Sequence, residues 1–147
     1  MQAYFSACES DLLAAENQMQ IRFGAQFAVT IPRSGGAYLF HFQDRVLYAG
    51  ETTSLRQRLA VHMRNPENHV LILKIARQLY DWEHGHGASG NRRRFDEAHK
   101  ERSRQWVEQH LSVSFRQMRI GRKELEEFLV ERHQPEFNKR YPTLPSV

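Results

Sequence analysis

The chain has 147 residues, enough for one domain with a real core and too few for two comfortable ones. With 40% apolar and 26% charged residues, its composition is that of an ordinary soluble globular protein. One cysteine excludes an internal disulfide, and no run approaches the roughly 20 apolar residues of a membrane span. The N-terminus lacks a basic segment followed by an apolar one, so a cytoplasmic location without membrane association is the expectation. The formal charge of +4 is unevenly placed: residues 91–123 carry ten basic side chains against four acidic ones, a surplus of six, so the remainder is net acidic. Such a block is a solvated helix face or the footprint of phosphate-backbone binding.

Residues 11–23 read as a helix with Leu12, Ala15, Met19 and Phe23 on one stripe, ended by Gly24. Phe27, Val29 and Ile31 then alternate as a short strand stopped by Pro32. Residues 1–33 thus form an N-terminal extension without chemistry of its own, in which Cys8 reads as a packing residue. Two runs rich in aromatic and β-branched residues flank Gln43, Asp44 and Arg45 and predict a hairpin. A three-residue loop would pair Phe42 with Val46 and bring Tyr38 and Tyr48 out on one face as diagonal neighbours; a two-residue loop would put them on opposite faces. The three-residue loop is expected, because the phenol pair would then share one polar pocket with the helix that follows. That helix opens at Ser54 as N-cap, carries Leu55, Leu59 and His62 on one side, and sets Arg58 and His62 one turn apart as a candidate site.

Asn65 and Pro66 predict the next helix start, with Leu71, Ile72, Ile75, Ala76, Leu79 and Trp82 as its apolar face. The glycine-rich residues 85–91 break it, and His84 and His86 read as exposed loop histidines rather than metal ligands. Residues 93–110 resume as a helix with Phe95, Ala98, Arg102 and Trp106 along one side, carrying most of the basic block. Leu111, Val113 and Phe115 alternate as a third strand. Gly121 leads into a final helix with Leu125, Phe128 and Leu129 inward.

Gly36-Ala37-Tyr38, followed by Tyr48-Ala49-Gly50, resembles the paired signature of the GIY-YIG nuclease superfamily, with Ala in place of Ile in both halves. The resemblance extends to Arg58, ten positions after the second Tyr, and to His62 four further on. Near the C-terminus Glu126, then Pro135 and Asn138, resemble the family's last motif, with Glu126 twelve residues before Asn138. The resemblance implies one α/β (α+β) domain over residues 1–147: a small three-stranded antiparallel sheet flanked by helices, with the N-terminal helix and strand added and a basic helical insertion at 83–110. It implies a catalytic set of Tyr38, Tyr48, Arg58, His62 and Glu126, with Gly36, Gly50 and Asn138 structural near the site. Glu126 would hold Mg²⁺, or Mn²⁺ in its place, largely through waters. The insertion would grip DNA through Arg92, Arg93, Arg94, Lys100, Arg102 and Arg104, with Arg56 beside the site.

Phosphodiester hydrolysis requires an activated water, charge stabilisation on the pentacovalent phosphate, and relief of charge on the leaving 3′-oxygen. Arg58 can hold a phosphate oxygen through two donors, which a lysine could not copy. A phenol with pKa near 10 is a poor base at neutral pH, whereas an imidazole is matched to it, so His62 is expected to take the proton of water, directly or through Tyr48. Tyr38 and Arg58 would then place the phosphate. Glu51 stands where some members carry Lys, which counts against a purely Tyr-based mechanism. A DNA endonuclease serving restriction, repair, recombination or a mobile element is the expectation; the alternative is a module that docks branched or single-stranded DNA without cutting. Double-strand cleavage from one site would need a homodimer, sequential nicks or a rearrangement.

Overall fold

The computed structural model describes residues 1–146. Helix α1 spans Gln2–Leu13, strand β1 Met19–Gln20, the short helix α2 Ala25–Val29, and the hairpin strands β2 and β3 Gly36–Phe42 and Arg45–Thr52. A helical stretch at 55–64 follows, widened to a π turn at Gln57–Val61 and tightened to a 3₁₀ turn at His62–Arg64. Helices α3 (Val70–His84) and α4 (Glu97–His110) lead to strand β4 (Leu111–Gln117), helix α5 (Arg122–His133) and a 3₁₀ turn at Glu136–Asn138. Among the described residues no helix is long and apolar enough to cross a membrane.

The sheet is antiparallel throughout, in the order β1-β4-β2-β3. It has four strands rather than the expected three; the fourth is a two-residue pairing of Met19 and Gln20 with Val113 and Ser112, too short to leave a periodic signal. Every residue of β2 is buried, because helices cover both faces of the sheet. Tyr38, Phe40 and Phe42 face Leu55, Leu59, Ile72, Ile75, Trp106 and their neighbours, which belong to the 55–64 stretch, α3 and α4. Ala37 and Leu39 face Phe5, Cys8, Leu12, Leu125 and Leu129 of α1 and α5. Leu125 and Leu129 are fully buried and Phe128 packs on Phe5, the inward face expected of α5.

Several boundaries differ from expectation. The first helix ends at Leu13 instead of running over 11–23, since the chain must extend at Met19–Gln20 to reach β4. The expected strand at Phe27, Val29 and Ile31 is the helix α2: Phe27 and Ile31, four apart, are both buried, and Val29 is exposed. Helix α3 begins at Val70, because Asn65 spends its side chain on a local turn, accepting from the Glu67 N–H at 2.9 Å, and His69 takes the cap. Trp82, expected in the core, is 56% exposed. Helix α4 starts after Asp96, whose carboxylate accepts from the His99 N–H; Arg92, Arg93 and Arg94 precede it in irregular chain. The buried face of α4 is His99, Ser103, Trp106 and Val107 rather than the stripe through Ala98 and Arg102. His99 and Ser103 can be inside because each finds a carbonyl, that of Ala76 at 2.8 Å and that of His99 at 3.0 Å.

His41 is 3% exposed on the α1 side of β2, with Nε2 2.8 Å from Ser114 Oγ, and that hydroxyl donates to the Leu12 carbonyl at 2.6 Å. Burial, and then the charge of His133, hold the imidazole down at about 4. The unfolded chain takes up this proton near pH 6.5 and the folded chain does not, so stability is intact above pH 6.5 and is lost as pH falls toward 4. The urea midpoint is therefore expected to decline across that window, and His41→Gln is expected to flatten part of the decline; an unchanged slope in the variant would remove His41 as its source.

Candidate active site

The hairpin turn comprises two residues, Gln43 and Asp44, with Gln43 at φ 53°, and Phe42 pairs with Arg45, not Val46. A strict two-residue hairpin would separate the tyrosines. The register shifts, however, between Phe40 and His41: His41 pairs with Val46 but Phe40 pairs with Tyr48, so β3 carries one extra residue at Leu47. The bulge restores what the loop length takes away, and the Tyr38 and Tyr48 rings stack on one face with centroids 6.3 Å apart. Tyr38 lies opposite Gly50, where a Cβ would come within 2.4 Å of the phenol carbon and oxygen. At Gly36 a Cβ would come within 2.2 Å of the Arg116 carbonyl of β4. Both glycines are there to let something else approach.

Ser54 accepts from the Gln57 N–H at 3.4 Å and opens the helical stretch as expected. Arg58, on the π turn, donates from Nε to Tyr38 Oη at 3.4 Å and from Nη1 to the Asn68 carbonyl at 3.4 Å. His62 is half-buried, with its Nε2 3.5 Å from the Gln57 amide, and that is its side-chain contact rather than either phenol. The imidazole that does touch a phenol is His69, whose Nε2 is 3.4 Å from Tyr38 Oη and whose Nδ1 accepts the Leu71 N–H at 3.0 Å as the cap of α3. Sequence reading missed it. Its one signal was a histidine immediately before an apolar helical run, where a cap belongs.

Burial raises the Tyr38 and Tyr48 phenols, against the opposing pull of Arg58. His69 is lowered to about 3 by burial, then by the charges of Arg58 and His62. The Glu126 carboxylate is raised by burial and by the neighbouring Glu51 carboxylate, against the opposing pull of the Glu51 backbone N–H and of Lys123. Arg122 pairs with Glu51 at 3.2 Å. Tyr38, Tyr48, Arg58 and His69 thus meet in one polar cluster built from the hairpin, the 55–64 stretch and the cap of α3, and the charge of Glu126 from α5 acts on both phenols. Asn138 closes the free edge of β3: Oδ1 accepts the Ala49 N–H at 2.8 Å and Nδ2 donates to the Ala49 carbonyl at 2.9 Å.

The basic residues are mostly engaged. Arg56 donates to the Ile31 carbonyl at 2.8 Å, and Arg92 lies over the Tyr80 ring at 4.6 Å. Arg94 and Lys100 pair with Glu67, Arg102 with Glu83, and Arg104 with Glu101. Glu67 precedes Asn68, so the start of α4 is tied to the turn that Arg58 also grips. Arg93 is exposed. A groove of about 490 Å³ at the hairpin turn, lined by Asp44, Arg45, Val46 and His133, contains none of the site residues.

Among the described residues no group of three or more His, Cys, Asp and Glu side chains could hold a metal ion. The carboxylates of Glu126 and Glu51 act on each other, and Glu51 is paired with Arg122. Comparison with family models, with curated proteins and with solved structures found no match for this chain.

Two substitutions test the scaffold. Asn138→Ala unpairs an edge N–H and carbonyl of β3 and is expected to cost about 1–3 kcal/mol in urea unfolding. Gly50→Ala must push the Tyr38 ring aside, at a similar cost of about 1–3 kcal/mol, and is expected to alter the near-ultraviolet circular dichroism of the stacked tyrosines. An unshifted urea midpoint with an unchanged spectrum would contradict the close approach.

Proposed function

We propose that this chain is a divalent-metal-dependent DNA endonuclease of the GIY-YIG type, acting by hydrolysis of phosphodiester bonds. The observation that carries the reading is the meeting of the stacked Tyr38 and Tyr48 rings of the hairpin with Arg58 of the following helical stretch, whose Nε reaches Tyr38 Oη, while the charge of Glu126 from α5 acts on the same phenols. Accidental motif residues would have no reason to share one site.

Each group has a task that its surroundings favour. Arg58 faces both phenols and keeps guanidinium donors for a non-bridging phosphate oxygen, where developing negative charge would be met by a fixed cation. The raised phenols remain protonated at neutral pH, which suits them to orient water and phosphate by donating, and not to act as free bases. His62 is half-buried and is the imidazole free to accept the proton of water. Glu126, with Glu51 alongside, would hold Mg²⁺ or Mn²⁺, whose bound charge also removes the repulsion between the two carboxylates. When bound, that ion supplies charge stabilisation at the leaving 3′-oxygen. Arg93 and Arg94, exposed in the irregular chain before α4, offer a basic surface for the DNA backbone.

Supercoiled plasmid with and without Mg²⁺ tests the proposal. Cutting is expected to need the metal and to fall by at least about 100-fold in Arg58→Ala, with little recovery in Arg58→Lys. Glu126→Gln is expected to abolish cutting yet still retard DNA in a gel. If the wild-type chain retards branched or single-stranded DNA but leaves every substrate intact with Mg²⁺ and Mn²⁺, the non-cleaving module replaces this reading.

A further inference from the structure

The 2% exposed imidazole of His69 has no part in the chemistry assigned above, yet both its nitrogens are committed. Nδ1 accepts the Leu71 N–H, so it bears a lone pair and the proton of the neutral ring sits on Nε2. Nε2–H therefore donates to Tyr38 Oη, and Arg58 Nε–H, which can only donate, reaches the same oxygen. Edge contacts with the Tyr38, Phe40 and Tyr48 rings, at centroid distances of 6.0 to 6.3 Å, hold the imidazole in place. The choice of residue is itself informative. Ser, Thr, Asp or Asn would cap α3 as well, but only histidine caps through one atom and presents an N–H on the far side of a rigid ring.

We propose that His69 is a positioning residue for the Tyr38 hydroxyl: with Arg58 it fills both acceptor positions of Oη and thereby fixes the direction in which the phenolic proton points. This rests on the nuclease reading of that site. The groups facing Tyr38 are Arg58 from the 55–64 stretch, His69 from the cap of α3, Tyr48 and Glu51 from β3, and Glu126 from α5. With two donors pointing in, the oxygen is preorganised to gain negative character as a reacting water or phosphate draws on its proton. Long hydrogen bonds of 3.4 Å leave room for both to tighten when that charge develops. His69 itself is no proton acceptor, since each nitrogen is occupied by a partner that requires its present state.

A matched pair of substitutions separates positioning from capping. His69→Asn keeps an acceptor for the Leu71 N–H and removes the donor to Tyr38; His69→Gln extends an amide N–H toward the Nε2 position. Plasmid cleavage is expected to slow by about 10- to 100-fold in H69N and to recover substantially in H69Q, with similar thermal midpoints. Long-range ¹H–¹⁵N spectra of the histidine rings in the wild-type chain are expected to give His69 as the neutral Nε2–H tautomer, unchanged from pH 8 to pH 5. A ring protonated on Nδ1, a ring that titrates in that range, or an H69N variant that cuts at the wild-type rate would overturn the proposal. If the wild-type chain cuts nothing, the nuclease reading fails, and the tautomer with the Tyr38 ¹³Cζ shift on going to H69N still decides whether the hydrogen bond exists.

Discussion

Strand β3 has one residue more than its partner between the Phe40–Tyr48 and His41–Val46 pairs, and the site depends on it. From a two-residue turn, uninterrupted pairing would set Tyr48 opposite Leu39, facing α1 and α5. The extra residue moves Tyr48 opposite Phe40, so that it joins Tyr38 on the α3 side. Leu47 enters the same core as Tyr48, and one position is thereby freed from alternation while the rest of the strand keeps it. Gly50, two residues further on, then has to be small, because the shifted register sets it opposite Tyr38, whose phenol leans across it.

Enclosing two phenols and an imidazole behind that strand would be costly if any of them were charged. Burial resolves this by pushing both phenols up and His69 down, so all three stay neutral at physiological pH and satisfy one another with the help of Arg58. The result is a neutral, hydrogen-bonded layer between a guanidinium and a pair of carboxylates. Across that layer the field runs from a positive end to a negative one. Glu51 and Glu126 repel each other at the negative end, and Arg122, paired with Glu51 at 3.2 Å, offsets part of that repulsion.

Much of this was legible in the sequence, for identifiable reasons. Tyr38, Tyr48, Arg58 and Glu126 are tied to strand and helix periods, so their convergence follows once the hairpin and α5 are recognised. The common face of the tyrosines was anticipated through the wrong device, a longer loop, because a bulge inserts a residue without any composition signal of its own. His69 was passed over because Asn65 and Pro66 give a stronger local helix-start pattern, and only the tertiary position of α3 shows that the pattern is spent on a turn. Likewise α2 reads as a strand by alternation, since five residues cannot distinguish period 2 from one helical turn. The charge surplus of residues 91–123 was real in count, yet Lys100 and Arg102 are neutralised by Glu67 and Glu83 from outside that block, which net charge along the chain cannot reveal, and Arg104 is paired with Glu101 of its own helix.

The outer edge of β3 shows why the last motif sits so far from the first. An edge strand exposes unpaired backbone groups that would ordinarily recruit another strand. Here Asn138 imitates one residue of such a strand, donating to and accepting from Ala49, and the charge of Glu51 two residues on acts on Glu126. One side chain thus stands in for part of a fifth strand. A strand would have buried the edge completely; a side chain closes it at one residue and leaves the rest of the edge available. The placement of Asn138 and that of Glu126 are linked, because α5 leads directly into the turn that carries Asn138 and that turn docks on β3. The Glu9 bridges to Arg132 and His133, which fasten α1 to the end of α5, help to hold that docking. The N-terminal helix, far from the chemistry in sequence, thereby bears on where the carboxylate of Glu126 lies.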